Sequence, residues 1–486
     1  MTEKKEEDQS LKRGLKTRHL NMIGLGGSIG TGLFVALGYN ISAAGPGGAL
    51  LAYAVMGVLV YFMITSLGEM SAEIPISGSF SAYCTRFVDP ALGFAVGWNY
   101  WFSWAICVAT ELLAGCILIK FWLPDGNSVI WSVLFLVLIY LLNFFSSRTY
   151  GEGEFWFASI KVFTVIVFLI VGVLMILGII GGTSPGFKNW TVGEAPFVGG
   201  SMAVLSAFLL AGFSFQGTEI IGIAAGETEN PEKAVPKAVN RVFWRILLFY
   251  FGAVAIIGFL IPYTDSNLLK TGIENLVYSP FTLVFERLGL AIAASLMNAV
   301  ILTSVLSCGN AGLFTATRML YSLALENKAP KVFTHVNKRG VPITALNVTT
   351  LVGALCFLAT QVGLNTAYSW LLNIAALTGF IAWLAISVSH YFFRRAYIAQ
   401  GKKVEDLKYR AKLYPFGPIF SFILCACIIS GQYYAYGNYT LEGFMVAYIG
   451  LFVFIGCFAG YKIVKKTKMV KPLEANLDYN DSDDHQ

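Results

Sequence analysis

Three charged side chains lie inside stretches of this sequence that are otherwise apolar. Lys161 occurs in EFWFASIKVFTVIVFLIV, Glu111 in WNYWFSWAICVATELLAG, and Glu219 at the end of GFSFQGTE. A charge in a lipid-like environment costs a few kcal/mol or more, so such residues usually have a role. A desolvated lysine can exchange its proton with a partner. Lys161 could instead serve as a fixed cation, or extend its ammonium group to the nearest end of the segment.

Two of the apolar stretches are interrupted by residues that break helices. GLGGSIGTGLF (24–34) contains five glycines within nine residues, and GFSFQGTE (212–219) contains two glycines with polar neighbours. The first stretch begins like the dinucleotide fingerprint G-x-G-x-x-G, but Ile29 stands where the third glycine belongs, and no strand precedes it. Close helix packing through Gly26 and Gly30 is the second interpretation. A helix broken to expose its backbone to a ligand is the third.

A broken helix would bring opposite charges to one place. A half-helix starting near Thr31 directs free N–H groups and the positive end of its dipole at its surroundings, which favours a carboxylate. Unwound carbonyls around residues 213–217 suit an ammonium group. Together they describe a site for the head group of an amino acid. Corresponding breaks in two halves of a membrane protein point to the binding site of a secondary transporter.

An aromatic stripe leads to one of the buried acids. Tyr100, Trp104 and Glu111 follow i, i+4, i+11 spacing and share a helix face. Such a stripe often serves only packing, but one that leads to a carboxylate favours a pocket for a cation. The sequence SCGN (307–310) adds polar groups in a later apolar segment.

The elements that position these residues are membrane spans. The chain has 486 residues, of which 56% are apolar and 13% charged, with a mean hydropathy of +0.66. Soluble domains carry about 25% charged residues. Segments long enough to cross a bilayer recur along the chain, which predicts an all-α polytopic membrane protein with twelve spans. They are predicted at 20–44, 48–69, 91–121, 129–145, 154–180, 201–226, 243–262, 284–312, 342–361, 367–389, 416–434 and 442–463.

The basic residues predict the orientation. With both termini on one side, 29 of the 34 Lys and Arg residues fall on that side, four on the other, and Lys161 remains inside. The positive-inside rule makes the rich side the cytoplasm. The prediction is therefore a cytoplasmic tail at 1–18, a transmembrane domain at 19–463 and a second cytoplasmic tail at 464–486. This distribution gives no support to nucleic-acid binding.

Several function classes have little support. The eight cysteines form no C-x-x-C pair and the four histidines are not grouped, so neither a metal site nor a cofactor is predicted. An enzyme would need a nucleophile with a base, and Gly26, Ser28 and Gly30 fit G-x-S-x-G only out of context. A channel would need a continuous polar pore.

Several motifs match a known family. GGSIGTGLF, AGPGGALLAY, LGEMSAEIPISGSFSAY, GWNYWFSW, GFSFQGTE and AAGETENP resemble the amino acid permease branch of the amino acid–polyamine–organocation superfamily. KTRHLNMIGLGGSIGTGLFVA, VFWRILLFY, IPYTD, SPFTLVF and GFIAWLAISVSHY are similar to bacterial lysine-specific permeases within that branch. The resemblance implies twelve helices in a five-plus-five inverted repeat (the LeuT-like fold), with helices one and six broken. It also implies proton-coupled import of L-lysine by alternating access in the bacterial cell membrane.

The resemblance also implies residue roles. Ser28, Ile29, Gly30, Thr31 and Gly32 would hold the substrate carboxylate, and the backbone around Ser214 would hold the α-ammonium. Phe213 would close as a gate, and Lys161 would replace the cation of sodium-coupled relatives. Further predicted substrate or gating residues are Tyr100, Trp104, Gln216, Glu219, Asn310 and Glu227.

Some choices stay open at this stage. Glu219 is the first candidate for the ε-ammonium of lysine and Glu111 the second, and either acid could instead carry the proton. Arginine, ornithine or a neutral amino acid is the alternative substrate, and exchange is the alternative mechanism. The predicted partners are lysine, protons and lipid, with a functional monomer.

Overall fold

The protein is described here from a computed structural model. The structure describes residues 13–266, 268, 279–289, 291–436 and 439–478. Most of the predicted N-terminal tail (1–12), Lys270 and the acidic C-terminal end (479–486) lie outside the described residues. Within them, the secondary structure is helical apart from two isolated β-bridges, Leu15–Thr228 and Val336–Pro342.

Seventeen α-helices, numbered in chain order, are described. They are α1 (Thr17–Gly26), α2 (Leu37–Glu73), α3 (Ser79–Phe87), α4 (Pro90–Ile119), α5 (Ser128–Phe145), α6 (Ser147–Ile176), α7 (Gly200–Phe215), α8 (Ile220–Ala224), α9 (Pro231–Arg245), α10 (Gly252–Leu260), α11 (Pro280–Arg287), α12 (Ala291–Leu325), α13 (Ile343–Gly353), α14 (Ala359–Val362), α15 (Leu364–Ala399), α16 (Phe416–Tyr436) and α17 (Leu441–Lys465). Two π-helical turns, Gly32–Ala36 and Ile246–Phe251, join α1 to α2 and α9 to α10.

The helices confirm a polytopic membrane protein. Ten helical segments among the described residues are long and apolar enough to cross a membrane. The first predicted span is α1 with the start of α2, and the seventh is divided by the π turn at Ile246–Phe251. The helix α2 bends at Gly45 (φ +75°), where the first two predicted spans meet. A side chain there would also strike the carbonyl of Pro196, because a Cβ atom would lie 2.5 Å from it.

The outer surface of the helix bundle is apolar. Ile130, Phe163 and Leu351 expose 65%, 69% and 73% of their surface. An apolar surface of this extent is typical of contact with lipid. The helix α4 lies at the centre, packed against α3, α12, α15 and α17. This position explains why the polar face of α4 points into the protein.

Two predicted boundaries were wrong, for one physical reason. The fifth span starts at Ser147, capped by Ser146, so Lys161 lies about 21 Å along α6 and not about 10 Å from its start. The eighth span continues to Leu325 and contains Arg318, which was predicted in a connection. In both cases charged residues marked an apparent end of the span. These charges are accommodated inside helices because partners on neighbouring helices bind them.

Candidate functional site

The first helix is interrupted within the glycine cluster. The helix α1 ends at Gly26, and a regular helix resumes only after the π turn at Gly32–Ala36. In the described part of the chain, the amides of Ser28 and Gly30 donate to no backbone carbonyl. The Ser28 hydroxyl donates back to the carbonyls of Gly24 and Leu25, at 3.0 and 3.2 Å, and competes with the helical ladder. The break thus leaves two backbone donors available.

The second break lies directly against the first. The helix α7 ends at Phe215, and Gly217 has φ +99°. A Cβ atom on Gly217 would lie 2.3 Å from the carbonyl oxygen of Gly27. The amides of Thr218 and Ile220 bond to the carbonyls of Phe215 and Gly217, three residues back. In a continuous helix these amides would bond to the carbonyls of Ser214 and Gln216, four residues back.

Lys161 is bound to the backbone of the first break. Its Nζ donates to the carbonyl oxygens of Gly26 and Ile29, at 2.6 and 2.8 Å. The lysine side chain is completely buried. Hydrogen bonds from a charged donor are about twice as strong as neutral ones. The Lys161 ammonium group on α6 therefore stabilises the interrupted geometry of the first span, between α1 and α2.

Sequence reasoning missed Glu154, which lies seven residues before Lys161 on α6. Its two carboxylate oxygens accept from the Ser307 hydroxyl at 2.5 Å and from the Asn310 amide at 3.3 Å. Asn143 in turn donates to the Asn310 side-chain oxygen at 2.8 Å. The spacing i, i+7 in EFWFASIK was the available signal, because it places both charges on one helix face.

A cavity lies between the two breaks and α4. The empty space among its lining atoms is about 430 Å³, including the part that is open to solvent. Its lining brings together nine predicted residues from helices that are distant in sequence: Ser28, Gly30, Gly32, Tyr100, Trp104, Glu111, Phe213, Gln216 and Glu219. Six further lining residues were not predicted: Gly27, Ser103, Cys107, Cys308, Ala375 and Gly379. Of the described residues that line the cavity, two carry a carboxylate and none is basic.

The two cavity carboxylates differ in their hydrogen bonding. Glu219 accepts from the Tyr100 hydroxyl (3.0 Å), the Trp383 indole (3.1 Å) and the Gly217 amide (3.0 Å). Glu111 accepts from the Thr31 hydroxyl at 3.1 Å through Oε1, while its buried Oε2 has no hydrogen-bond partner among the described residues. Both carboxylate oxygens of Glu219 therefore accept hydrogen bonds, whereas Oε2 of Glu111 accepts none from the described residues.

Besides Lys161 and Glu227, four of the predicted residues do not line the cavity in this structure. Ile29 and Thr31 contribute a carbonyl to Lys161 and a hydroxyl to Glu111. The Ser214 hydroxyl bonds to the Tyr53 hydroxyl at 2.8 Å. Asn310 belongs to the hydrogen bonds around Glu154.

Glu227 lies away from the cavity, at the end of the sixth span. It accepts from the Arg318 guanidinium at 2.7 Å, and both side chains are 1% exposed. Next to it, the Leu15 amide donates to the Glu227 carbonyl and the Glu229 amide donates to the Leu15 carbonyl, both at 3.0 Å. The segment before α1 is therefore tied to the chain after α8, next to this ion pair.

Comparisons with known proteins give a consistent result. The family model described as amino acid permease matches residues 19–474. The lysine-specific permease of Escherichia coli is 54% identical over 482 residues, covering 98% of this chain and 99% of that protein. A lysine-specific permease of Lactococcus lactis is 49% identical, covering 97% of this chain and 93% of that protein. A histidine permease of the same organism is 48% identical, covering 96% and 98%.

Proposed function

Because the chain belongs to the amino acid permease family, whose members transport amino acids across membranes, we propose that it imports L-lysine by proton-coupled symport. The observation that carries this proposal is the cavity between the two helix breaks, which has two carboxylates and no basic residue in its lining. Alternating exposure of this cavity to the two sides of the membrane would move the substrate. The prediction that the protein is not an enzyme is confirmed by the family.

The substrate carboxylate is proposed to bind the first break. Among the described residues, the amides of Ser28 and Gly30 have no backbone partner, and the following helix directs its positive end towards them. The α-ammonium would bind the carbonyls of Ser214 and Gln216, which the shifted hydrogen bonds of the second break release. Phe213 lines the same cavity and would cover the bound head group.

The lysine side chain is proposed to bind the cavity carboxylates. Glu219 remains the first candidate, since it adjoins the unwound segment and donors to both oxygens hold it in place. Glu111 is the second candidate, with one free oxygen. A buried carboxylate without its cation is unfavourable by several kcal/mol, so the pair would favour lysine over a neutral isostere. The similar identities to lysine and histidine permeases mean that the cavity lining, and not overall similarity, must decide between these substrates.

Lys161 is proposed to couple the proton to helix one. As an ammonium group it binds the Gly26 and Ile29 carbonyls and links α6 to the break. Loss of its proton removes the charge that strengthens both hydrogen bonds. The helix α1, which precedes the break, would then be free to move relative to α6. This geometry links the protonation of one residue to the exposure of the cavity.

We also propose that both termini are cytoplasmic and that one chain is sufficient for transport. The distribution of basic residues supports the orientation. The proposal of a functional monomer rests on the cavity, because one chain supplies both helix breaks and both carboxylates that line it.

The first experiment is uptake of radiolabelled lysine into proteoliposomes. An inward proton gradient, an inward sodium gradient and internal unlabelled lysine alone are compared for the wild type, Lys161→Ala and the exposed control Lys188→Ala. We expect accumulation only with the proton gradient, and its loss in Lys161→Ala alone. Uptake only against internal amino acid would make the protein an exchanger. Absence of lysine uptake together with uptake of a neutral amino acid would refute the lysine assignment.

The second experiment tests specificity. Competition of labelled lysine by norleucine, which lacks the ε-ammonium group, is measured for Glu219→Gln, Glu111→Gln and the exposed control Glu194→Gln. We expect the variant that loses the ammonium partner to lose its preference for lysine over norleucine. An unchanged preference in both cavity variants would contradict the proposed role of these acids.

A further inference from the structure

Two cysteines and a glutamate meet in the cavity wall. Cys107 and Glu111 are four residues apart on α4 and share a helix face, while Cys308 comes from α12. The two sulfur atoms and a carboxylate oxygen all lie within 4.8 Å of one another, and the three residues are buried. The sequence predicted no metal site because these residues lie on two helices about two hundred positions apart, and only the fold brings them together.

The hydrogen bonding of this cluster leaves ligand atoms available. The Glu111 Oε2 atom is buried without a hydrogen-bond partner among the described residues. The Cys308 thiol donates weakly to the carbonyl of Gly27, at 3.4 Å, and interacts directly with the Cys107 thiol and the Glu111 carboxylate. Soft sulfur ligands favour thiophilic cations such as Zn²⁺ and Cd²⁺ over Mg²⁺ or Ca²⁺. In a tetrahedral site with bonds of about 2.3 Å, two sulfur ligands lie about 3.8 Å apart. Small side-chain rotations would bring the cluster to that spacing.

We propose that Cys107, Glu111 and Cys308 form a binding site for one thiophilic divalent cation. Each thiol releases its proton to solvent as the metal–sulfur bond forms, and Glu111 binds through its free oxygen. Three protein ligands leave a fourth position that faces the cavity, where water completes the coordination. The bound cation would link α4 to α12 beside Gly30, at the place where the substrate is proposed to bind. Inhibition of uptake by the cation, unlike its binding, rests on the proposed function.

The binding test uses the purified full-length protein in detergent with a phosphine reductant, which keeps the cysteines reduced. Cd²⁺ is the probe, measured by isothermal titration calorimetry and by the ultraviolet absorption of cadmium–thiolate bonds. We expect one Cd²⁺ per chain, with affinity lowered at least about tenfold in Cys107→Ser, Cys308→Ser and Glu111→Gln. The matched control is Cys425→Ser, since Cys425 is equally buried but lies on α16.

The absorption of the wild type reports sulfur ligation without any substitution, so the test does not depend on the variants folding. Absence of saturable binding, or binding that Cys107→Ser and Cys308→Ser both retain at full affinity, would overturn the proposal. A separate uptake assay in proteoliposomes is expected to show inhibition by Cd²⁺ that saturating lysine prevents and the cysteine variants resist. Absence of lysine uptake would refute the transport proposal and leave the result for metal binding intact.

Discussion

The ion pair between Glu227 and Arg318 is expected to hold the N-terminal side closed, and Glu227→Gln tests this directly. Removing one partner of a buried ion pair costs about 3–5 kcal/mol, because the remaining charge is left without compensation. One oxygen of Glu227 and one Nη atom of Arg318 have no hydrogen-bond partner among the described residues. The pair is therefore held by a single hydrogen bond, and we expect the lower end of this range. About 3 kcal/mol corresponds to a change of about a hundredfold in an opening equilibrium.

Hydrogen–deuterium exchange measures this opening at two identified amides. The Leu15 and Glu229 amides bond across the Leu15–Thr228 bridge, so they exchange only when the closed contact opens. We expect Glu227→Gln to accelerate their exchange by about a hundredfold. The control is Glu152→Gln, which breaks the exposed pair with Arg18. An exposed pair contributes about 0.2–1 kcal/mol, so at most about fivefold is expected there.

The double variant Glu227→Leu/Arg318→Met separates charge from shape. Replacing a buried ion pair by apolar residues of similar volume is often neutral or stabilising. We therefore expect slow exchange to return in the double variant. Exchange in Glu227→Gln within about threefold of the wild type would refute the argument that this pair stabilises closure.

Three further predictions follow from contacts elsewhere in the structure. Gly26→Ala is expected to destabilise the purified protein by about 1–3 kcal/mol in thermal unfolding, because the added Cβ atom would lie 1.7 Å from a Glu154 oxygen. The control Gly456→Ala, which has open space around the added atom, should be neutral. Glu154→Gln removes the negative charge that lies on the same face of α6 as the buried Lys161 ammonium group. We expect proton-driven uptake to fall more than lysine counterflow. An equal loss of both would contradict this role of Glu154. Burial alone would raise the pKa of Asp89, but hydrogen bonds from Lys462 and two further donors lower it below its ordinary value. The stability that Asp89 contributes is then present above about pH 4 and lost as pH falls through its folded-state pKa, so Asp89→Asn should unfold more easily at neutral pH and lose this acid dependence, as measured by thermal unfolding across pH.

The features that could be predicted from the sequence depend on local pattern. The helical spans follow from apolar length, and the two breaks follow from glycines and polar residues within a few positions of each other. The shared face of Tyr100, Trp104 and Glu111 follows from the helical period alone, and the structure places all three at the cavity. Each of these features is determined by the segment that contains it.

The features that could not be predicted depend on which helices become neighbours. Asn310 was predicted near the substrate, but the packing of α12 against α6 directs it to Glu154. Ser214 lies in the last turn of α7 and bonds to Tyr53, whereas Gln216 follows the end of the helix in a non-helical conformation and lines the cavity. Cys107 resembled an ordinary apolar residue until Cys308 was placed beside it. Periodicity shows which residues share a face, but not what that face contacts.

The glycine cluster combines two interpretations that the sequence presented as alternatives. Close packing explains Gly26, whose surface touches Glu154, and Gly32, where a Cβ atom would lie 2.5 Å from the Ser214 Cα. The helix break lies between these two positions, at the amides of Ser28 and Gly30, which have no backbone partner in the part of the chain that the structure describes. The close approach is what makes the break possible, because only a glycine lets α6 come near enough for Lys161 to bind two carbonyls of the interrupted turn. Packing therefore brings the charge to the backbone, and the charge in turn stabilises a backbone conformation that lipid could not.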